Sequence, residues 1–281
     1  MESLPRFGVH WAAILKLPAD SCDGMPFNKR KQKKQGGNAL NFATATHIGY
    51  VREENQDCVE IRTFPDGVLA LVCDGMGGER SGKEASTRAT EIFLECMEER
   101  CQEPMQTYEI RNAMMAAVSA ANSVIYTAAK LNYQNFGMGT TCVAAFWNQE
   151  GVTIVNVGDS RAYYYADGVL QPITIDHTLV NFLLFSGKIT EEELETHPMK
   201  HMLIRAVGVE KTVEADDFFL PYTDGMKILL CSDGLHGFCT EEEMQEILQQ
   251  EKPAQELADE LLQLALEKGG RDNIAIAIIT D

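Results

Sequence analysis

Four apolar runs in this sequence each stand next to an aspartate. VLALVCDGMGG (68–78) passes from an apolar run into Asp74, and MKILLCSDG carries a second run into Asp233. VTIVNVGDS leads to Asp159, and Asp272 stands directly before the last run, NIAIAIIT. Asp-Gly is a common turn pair, so a turn explains any one of these patterns. Four carboxylates at the tips of four apolar strands are harder to explain as four separate turns.

The spacing of short apolar segments predicts an α+β fold. Strands in runs and helices in pairs favour antiparallel sheets covered by helices over alternating βαβ units. Short strands separated by Gly, Asn and Asp between residues 139 and 174 are typical of an antiparallel meander, with a hairpin turn at Asp167-Gly168. Strands are expected at 42–49, 57–63, 67–73, 213–219, 226–232 and 273–280, and helices at 82–100, 106–131, 240–250 and 253–268.

The charge of the chain is strongly acidic and unevenly distributed. Residues 1–40 carry seven Lys and Arg against three Asp and Glu, and the rest of the chain carries −22, which gives the formal total of −18. An acidic body argues against nucleic-acid binding, which needs Lys and Arg to replace counterions. It fits a soluble cytoplasmic protein that binds cations, although acidic surfaces also serve solubility alone. No apolar run approaches the roughly 18–20 residues of a membrane span, so no membrane partner is expected.

Residues 1–40 have the composition of a basic leader, and the regular patterning begins at residue 41. The run NKRKQKK (28–34) favours a disordered tail over a nucleic-acid arm. The motifs then extend to the end of the chain, so 41–281 is expected to form one domain. None of the eight cysteines stands in a C-x-x-C pair, which argues against a zinc ribbon and favours reduced thiols in the cytosol.

Isolated carboxylates at strand ends have the chemistry of a site for hard cations. Mg²⁺ and Mn²⁺ prefer oxygen ligands and often keep several waters. Asp74 followed by Gly75 offers a carboxylate and an adjacent carbonyl, a pair that can serve two metals at once. Without a metal, gathering such acids raises their pKa values through mutual repulsion and costs stability. A real cluster of these residues therefore implies cations.

The order of the motifs resembles the metal-dependent protein phosphatase (PPM, or type 2C) family of serine/threonine phosphatases, particularly its bacterial branch. Each motif alone is weak, but their combination and order are specific, and the resemblance covers about residues 41–281. The matching segments are IGYVREENQD (48–57), CDGMGGERSG (73–82), GMGTT (137–141), VGDSRAY (157–163), SGKITEEELETHP (186–198), LIRAVG (203–208), CSDGL (231–235) and RDNIAI (271–276).

The resemblance implies a four-layer α/β/β/α sandwich with two central antiparallel sheets and two Mn²⁺ or Mg²⁺ ions in a cleft between them. By motif, Asp74 bridges both ions and the Gly75 carbonyl binds one of them. Asp233 and Asp272 bind the other. Asp159 matches the carboxylate that, with Asp233, forms a third and looser metal site in bacterial members.

The same resemblance assigns the remaining roles. Arg52 matches the phosphate-binding arginine, Asp57 would hold metal-bound water in place, and Asn273 would support Asp272. Residues 176–208 match the flap, an insertion near the cleft associated with substrate choice. Two metals then activate a water for in-line attack on phosphorus, and no covalent phosphoenzyme is needed.

Several positions leave alternatives open. Taken alone, Arg52 is equally explained as an ordinary surface arginine, and Asp159 as a residue that caps a turn. The flap helices are equally explained as surface helices without a role in the cleft. Bacterial members often carry Asp where this chain has Thr46 and His47. Met76 follows Asp-Gly where mammalian members have a histidine, so the leaving-group acid is unassigned, and a lone histidine such as His177 is more often structural.

These observations predict a protein serine/threonine phosphatase that acts on phosphorylated proteins, including a Ser/Thr kinase, and that is a monomer. One alternative is a catalytically silent binding module on the same fold, which the complete carboxylate set argues against. Another is a metallohydrolase acting on nucleotides, for which the sequence lacks a basic or aromatic recognition cluster.

Overall fold

The computed structural model describes residues 40–77, 81–132, 135 and 137–281, all within one compact unit. The predicted basic leader lies outside the described residues apart from Leu40, and the boundary near residue 40 stays a prediction. Residues 78–80 of the CDGMGGERSG motif lie outside them as well. None of the helices in the described ranges is long and apolar enough to cross a membrane.

The strands of the described chain form two sheets in which all paired strands are antiparallel. They are Asn41–His47 (β1), Asp57–Phe64 (β2), Gly67–Met76 (β3), Gly139–Thr140 (β4), Cys142–Asn148 (β5), Gly151–Val157 (β6), Arg161–Ala166 (β7), Val169–Pro172 (β8), Asp216–Pro221 (β9), Lys227–Cys231 (β10) and Ile274–Thr280 (β11). One sheet has the order β1-β11-β10-β7-β8, and the other has the order β2-β3-β5-β6-β9, with β4 paired to β3.

The helices of the described residues form an outer pair on each side, two short helices in the flap and a one-turn helix after β10. They are Ser81–Arg100 (α1), Thr107–Leu131 (α2), Leu179–Phe185 (α3), Glu191–Thr196 (α4), Asp233–His236 (α5), Glu241–Leu248 (α6) and Ala254–Glu267 (α7). Local sequence sets where some of them begin. Thr190 and Thr240 each form a capping box with the glutamate three residues later, which satisfies amide groups at the first turns of α4 and α6.

The alternating side chains of β3 show how the layers pack. Leu69, Leu71 and Cys73 belong to a core shared with α1 and α2. Val68, Ala70 and Val72 belong to a second core between the two sheets, because successive side chains of a strand point to opposite faces. A third core joins α6 and α7 to the other sheet. These three cores separate four layers, so the predicted α/β/β/α sandwich of the α+β class is confirmed.

The structure corrects two local predictions. The strands between residues 139 and 174 are not one meander, because β5 and β6 lie in one sheet and β7 and β8 in the other. The chain crosses between the sheets at residues 158–160, called here the crossing segment. Asp74 lies within β3 rather than beyond its tip, since β4 pairs with Gly75 and Met76. Asp233 is the first residue of the one-turn helix α5.

Candidate active site

Asp74 is held rigidly at the end of the sandwich where strands of both sheets finish. Its backbone N–H donates to Thr141 Oγ1 at 2.8 Å, and its carbonyl accepts from Thr141 N, also at 2.8 Å. On the other side of β3, Asp74 is directly opposite Asp57 of β2. The sheet therefore fixes the partly buried Asp74 carboxylate from both neighbouring strands.

Gly75 stands where no side chain fits. Its N–H donates to the carbonyl of Gln56 at 3.2 Å. A Cβ added at Gly75 would lie 2.0 Å from the carbonyl oxygen of Gly82, in the first turn of α1. Glycine at this position lets the start of α1 approach the end of β3, as close backbone approach requires.

Asp57 lies behind Asp74 and is almost fully buried, with 3% of its surface exposed. Its Oδ2 accepts a hydrogen bond from Ser232 Oγ at 2.6 Å, and that hydroxyl oxygen in turn accepts from Ala275 N at 2.9 Å. Burial raises the pKa of Asp57 to about 7, while the Ser232 hydrogen bond opposes the rise. Sequence reasoning missed Ser232, although its place before Asp233 in SDG was the available signal.

Asn273 ties the loop that carries Arg52 to the end of the five-stranded sheet. Its Oδ1 accepts from Gln56 N at 2.8 Å, and its Nδ2 donates to the carbonyls of Ile48 at 2.8 Å and Glu54 at 3.0 Å. These bonds hold both ends of the segment 48–56, so Asn273 supports this loop in addition to standing beside Asp272.

Arg52 reaches across the mouth of the site to Asp272. Its Nη2 donates to Asp272 Oδ2 at 2.7 Å, while just over half of the Arg52 side chain stays exposed (54%). The Asp272 carboxylate also accepts from Asn273 N through Oδ1 at 2.8 Å. The arginine is thus accessible to a ligand and already directed at the acidic cluster.

Asp159 lies in the crossing segment and is buried, with 8% of its surface exposed. Gly158 before it has φ +105°, and a Cβ there would meet Thr141 Cγ2 at 2.7 Å. The hydroxyl of Ser160 lies 2.7 Å from Thr141 Oγ1, the same oxygen that accepts from Asp74 N. The sharp crossing between the sheets therefore places Asp159 next to the strand end that carries Asp74.

One cleft of about 840 Å³ brings the predicted residues together. The cleft is lined by seven of the eight predicted site residues: Arg52, Asp74, Gly75, Asp159, Asp233, Asp272 and Asn273. Asp57 does not line it and lies behind Asp74. Thr141, from the GMGTT motif, also lines the cleft. His201 and Leu203 bring the flap, which was expected near the cleft, to the cleft wall, although the sequence singled out neither residue.

Burial, together with the charge of neighbouring carboxylates, raises the pKa values of Asp57, Asp74, Asp159 and Asp233. Burial raises the pKa of Asp74 well above its usual range, and the charges of Asp57, Asp233 and others add to the rise. Burial also raises the pKa of Asp233 to about 6, with Asp272 contributing, and that of Asp159 to about 7, with Asp233 contributing. Positive charge would stabilise this cluster in its ionised form.

The donor set fits hard divalent cations that keep part of their water shell. Within the described ranges, no group of three His, Cys, Asp or Glu side chains is arranged to hold a metal by itself. Mg²⁺ and Mn²⁺ commonly bind through one or two carboxylates, with carbonyl and water oxygens completing the shell. Asp74 with the carbonyl of Gly75, and Asp233 with Asp272, offer oxygen ligands of this kind around one cleft.

Comparison with known proteins decides the family. The model of the protein phosphatase 2C family matches residues 46–275, a span that includes the whole cleft. The chain belongs to the protein phosphatase 2C family. It is a metal-dependent protein phosphatase of the bacterial type, and the recognition made from the motif order is confirmed.

Relatives of this type 2C phosphatase are named serine/threonine phosphatases, and those with solved structures have the same fold. The serine/threonine phosphatase stp of Listeria monocytogenes is 38% identical over 235 residues, which cover 83% of this chain and 93% of that protein. The S. agalactiae serine/threonine phosphatase structure has a TM-score of 0.80 at 30% identity and covers 86% of this chain and 99% of that chain. The catalytic domain of the phosphatase PstP, solved in complex with two manganese ions, has a TM-score of 0.73 at 32% identity and covers 86% and 97%.

Proposed function

We propose that this type 2C phosphatase removes phosphate from phosphoserine and phosphothreonine in proteins at a binuclear Mn²⁺ or Mg²⁺ centre. The observation that carries the proposal is one cleft that combines four aspartates with an accessible arginine at its mouth. Relatives named serine/threonine phosphatases support the substrate class, and the PstP domain with two manganese ions supports the cofactor.

Four residues are proposed to hold the two main ions. Asp74 would bridge them, the Gly75 carbonyl would bind one, and Asp233 and Asp272 would bind the other. Asp159, together with Asp233, would hold a third and weaker ion. When bound, two divalent ions supply Lewis acidity and lower the pKa of a water toward ~7.

Arg52 would bind the phosphoryl oxygens of the substrate. A guanidinium can make two parallel hydrogen bonds to a phosphate, which the ammonium of lysine cannot. Arg52 donates to Asp272 in the structure, lines the cleft and keeps over half of its side chain exposed. It would therefore orient the phosphate beside the carboxylates and offset the negative charge that develops during transfer.

Asp57 would hold the attacking water in place. The hydrogen bond from Ser232 fixes its Oδ2, so the carboxylate keeps one orientation behind Asp74. Burial raises the pKa of Asp57 to about 7 in the metal-free protein, and bound cations would favour its ionised form. Asn273 would contribute indirectly, by keeping the Arg52 loop and Asp272 in register.

The proposal also includes the location, the oligomeric state and the protein substrates of the enzyme. The enzyme would act in the cytoplasm as a monomer, on proteins phosphorylated by a Ser/Thr kinase and on that kinase itself. The alternative is a catalytically silent phosphatase-like binding module. The complete set of cleft aspartates and Arg52 favours the enzyme, because a binding module would not need buried, mutually repelling carboxylates.

A phosphopeptide assay separates these functions. The protein should release phosphate from phosphoserine and phosphothreonine peptides with Mn²⁺, and a chelator should abolish this release. Asp74→Asn should be inactive, while Asp217→Asn, which removes a surface ion pair with Arg111, should keep full activity. Absence of metal-dependent release would favour the binding module, and faster hydrolysis of nucleotides than of phosphopeptides would point to another metallohydrolase.

A further inference from the structure

The crossing segment is held by two histidines from different parts of the chain. Gly158 N–H donates to Nδ1 of His177 at 3.0 Å, and the Gly158 carbonyl accepts from His177 N at 2.9 Å. The carbonyl of Asp159, the next residue, accepts from Nε2 of His236 at 2.9 Å. The backbone that carries the Asp159 carboxylate is therefore tied on both sides to imidazole rings.

His177 joins the crossing segment to the flap (residues 176–208). Since its Nδ1 accepts a hydrogen bond, its hydrogen lies on Nε2, which donates to Asp216 Oδ2 at 3.1 Å. Arg205, at the other end of the flap, donates to Asp216 Oδ1 at 2.7 Å. Both ends of the flap thus meet at one carboxylate of β9, and the ring between them reaches Gly158.

A second contact reinforces this junction. Arg161, the first residue of β7, donates to both carboxylate oxygens of Asp176 at 2.8 and 2.7 Å. Asp176 stands directly before His177. Gly158, at one end of the crossing segment, and Arg161, directly after its other end, therefore contact two consecutive residues at the start of the flap. A shift of that start would shift Asp159.

His236 joins the crossing segment to Asp233. It is the last residue of α5, whose first residue is Asp233. Burial and the nearby charge of Arg161 lower the pKa of His236 to about 3, so its ring is neutral at ordinary pH. Its bond to the Asp159 carbonyl comes from a neutral ring nitrogen and sets the backbone of Asp159 relative to the helix that presents Asp233.

Two carboxylates on separate elements share a cation well only when their backbones stay at the right spacing. Residues that hold metal ligands in place through hydrogen bonds typically contribute 10–100-fold to affinity. Asp159 and Asp233 both line the cleft. His236 holds the backbone carbonyl of Asp159, and His177 holds the backbone of Gly158 directly before it.

We propose that His177 and His236 are positioning residues that set the spacing of Asp159 and Asp233 for a shared divalent cation, and that the flap acts on this site through His177. The inference rests on the proposed function, since it assumes that cations bind in this cleft. It adds to that function two residues outside the cleft lining and a route from the flap to Asp159.

The test is a titration of the full, metal-free chain with Mn²⁺, with free ion followed by electron paramagnetic resonance. His236→Leu and His177→Leu, made separately, should weaken the weakest Mn²⁺ site about tenfold or more and leave the tighter sites unchanged. His236→Gln, which keeps a donor near the Nε2 position, should lose less affinity than His236→Leu.

Lys227→Met is the matched control. Lys227 is buried and donates through Nζ to the backbone carbonyls of Leu248 at 2.6 Å and Gln250 at 2.8 Å, and it does not line the cleft. Its loss should lower stability, as the loss of a buried donor does, without changing Mn²⁺ affinity. The control separates a positioning effect from general destabilisation.

Each outcome decides one question. A folded His236→Leu or His177→Leu protein that binds Mn²⁺ as the wild type does would overturn the inference while leaving the proposed function intact. A wild-type protein that binds no Mn²⁺ would overturn the proposed function itself. If neither leucine variant folds, the wild-type imidazole resonances decide: those of His177 and His236 should shift at the Mg²⁺ concentration that fills the weakest site, and unchanged resonances would count against the inference.

Discussion

Arg52 and Asp272 are 220 positions apart in the sequence, and their side chains meet at 2.7 Å across the mouth of the cleft. The arginine comes from the loop before β2 and the aspartate from the residue before Asn273 and β11. Because over half of the Arg52 side chain is exposed, the pair contributes little stability, about 0–1 kcal/mol for an ion pair of this kind. Its value lies in placing a guanidinium beside the acidic cluster.

Replacement of Arg52 should therefore affect substrate handling more than folding. Arg52→Ala is expected to lower kcat/KM for phosphopeptides by about 10²-fold or more, since a charge-assisted contact to phosphate is lost, and Arg52→Lys should recover only part of this. Steady-state kinetics measures the effect, and urea unfolding should show a change of less than about 1 kcal/mol. Full activity in Arg52→Ala would contradict the proposed role of Arg52 in binding the substrate phosphate.

Asp74→Asn and Asp233→Asn should each abolish metal-dependent phosphate release while the protein stays folded. Both changes remove a negative charge from a cluster whose members raise one another's pKa values. The free energy of unfolding without metal should accordingly not fall, and circular dichroism with chelator present checks this. Near-normal turnover in Asp74→Asn would contradict the bridging role.

Asn273→Ala should reduce both stability and activity. The substitution leaves Gln56 N and the carbonyls of Ile48 and Glu54 without their side-chain partner, which costs about 3 kcal/mol and loosens the Arg52 loop. Asn122→Ala is the matched control, because Asn122 makes the same kinds of bond to residues 208–211, none of which lines the cleft. The control should lose stability and keep its kcat, and equal losses of activity in both variants would contradict the specific role of Asn273.

The pH dependence of stability should differ between the metal-free and the metal-bound protein. Asp57 and Asp159 have folded-state pKa values raised to about 7 from 3.8, so the folded state binds protons more tightly than the unfolded state. The contribution of these two carboxyl groups to the stability of the metal-free protein is therefore largest at low pH. It is lost as the pH rises through about 7. Between pH 6 and pH 8 the loss should be about 1–3 kcal/mol.

Urea unfolding at several pH values, with chelator and with Mn²⁺, measures this dependence. Bound cations should neutralise the carboxylates and remove most of the loss. A metal-free protein whose stability is constant or rises between pH 6 and pH 8 would contradict the crowding of these aspartates.

Much of the fold follows from patterns that are local in the sequence. The helices and most strand bounds agree with the apolar periodicity to within a few residues, and Asp167-Gly168 forms the predicted hairpin turn with φ values of 52° and 81°. The change of sheet between β6 and β7 had no such signal. Two consecutive antiparallel strands have the same alternation whether they pair with each other or lie in different sheets, so only tertiary packing decides.

Some residues of the cleft could likewise be predicted from the sequence, and others could not. Motif order was sufficient to name its aspartates, Gly75 and Arg52, all of which line it, and Asp57 behind them. It did not find Ser232, whose hydroxyl could equally have capped α5, or His201, a flap residue that lines the cleft. His177, interpreted as structural, is buried and holds the crossing segment, a long-range role that no residue spacing reveals.

The most direct test of the central claim is anomalous diffraction from a crystal of this protein grown with Mn²⁺. We expect two strong peaks in the cleft, both next to Asp74, with Asp233 and Asp272 bound to one of them. Absence of manganese from the cleft at saturating concentration, or a single ion that does not touch Asp74, would contradict the account.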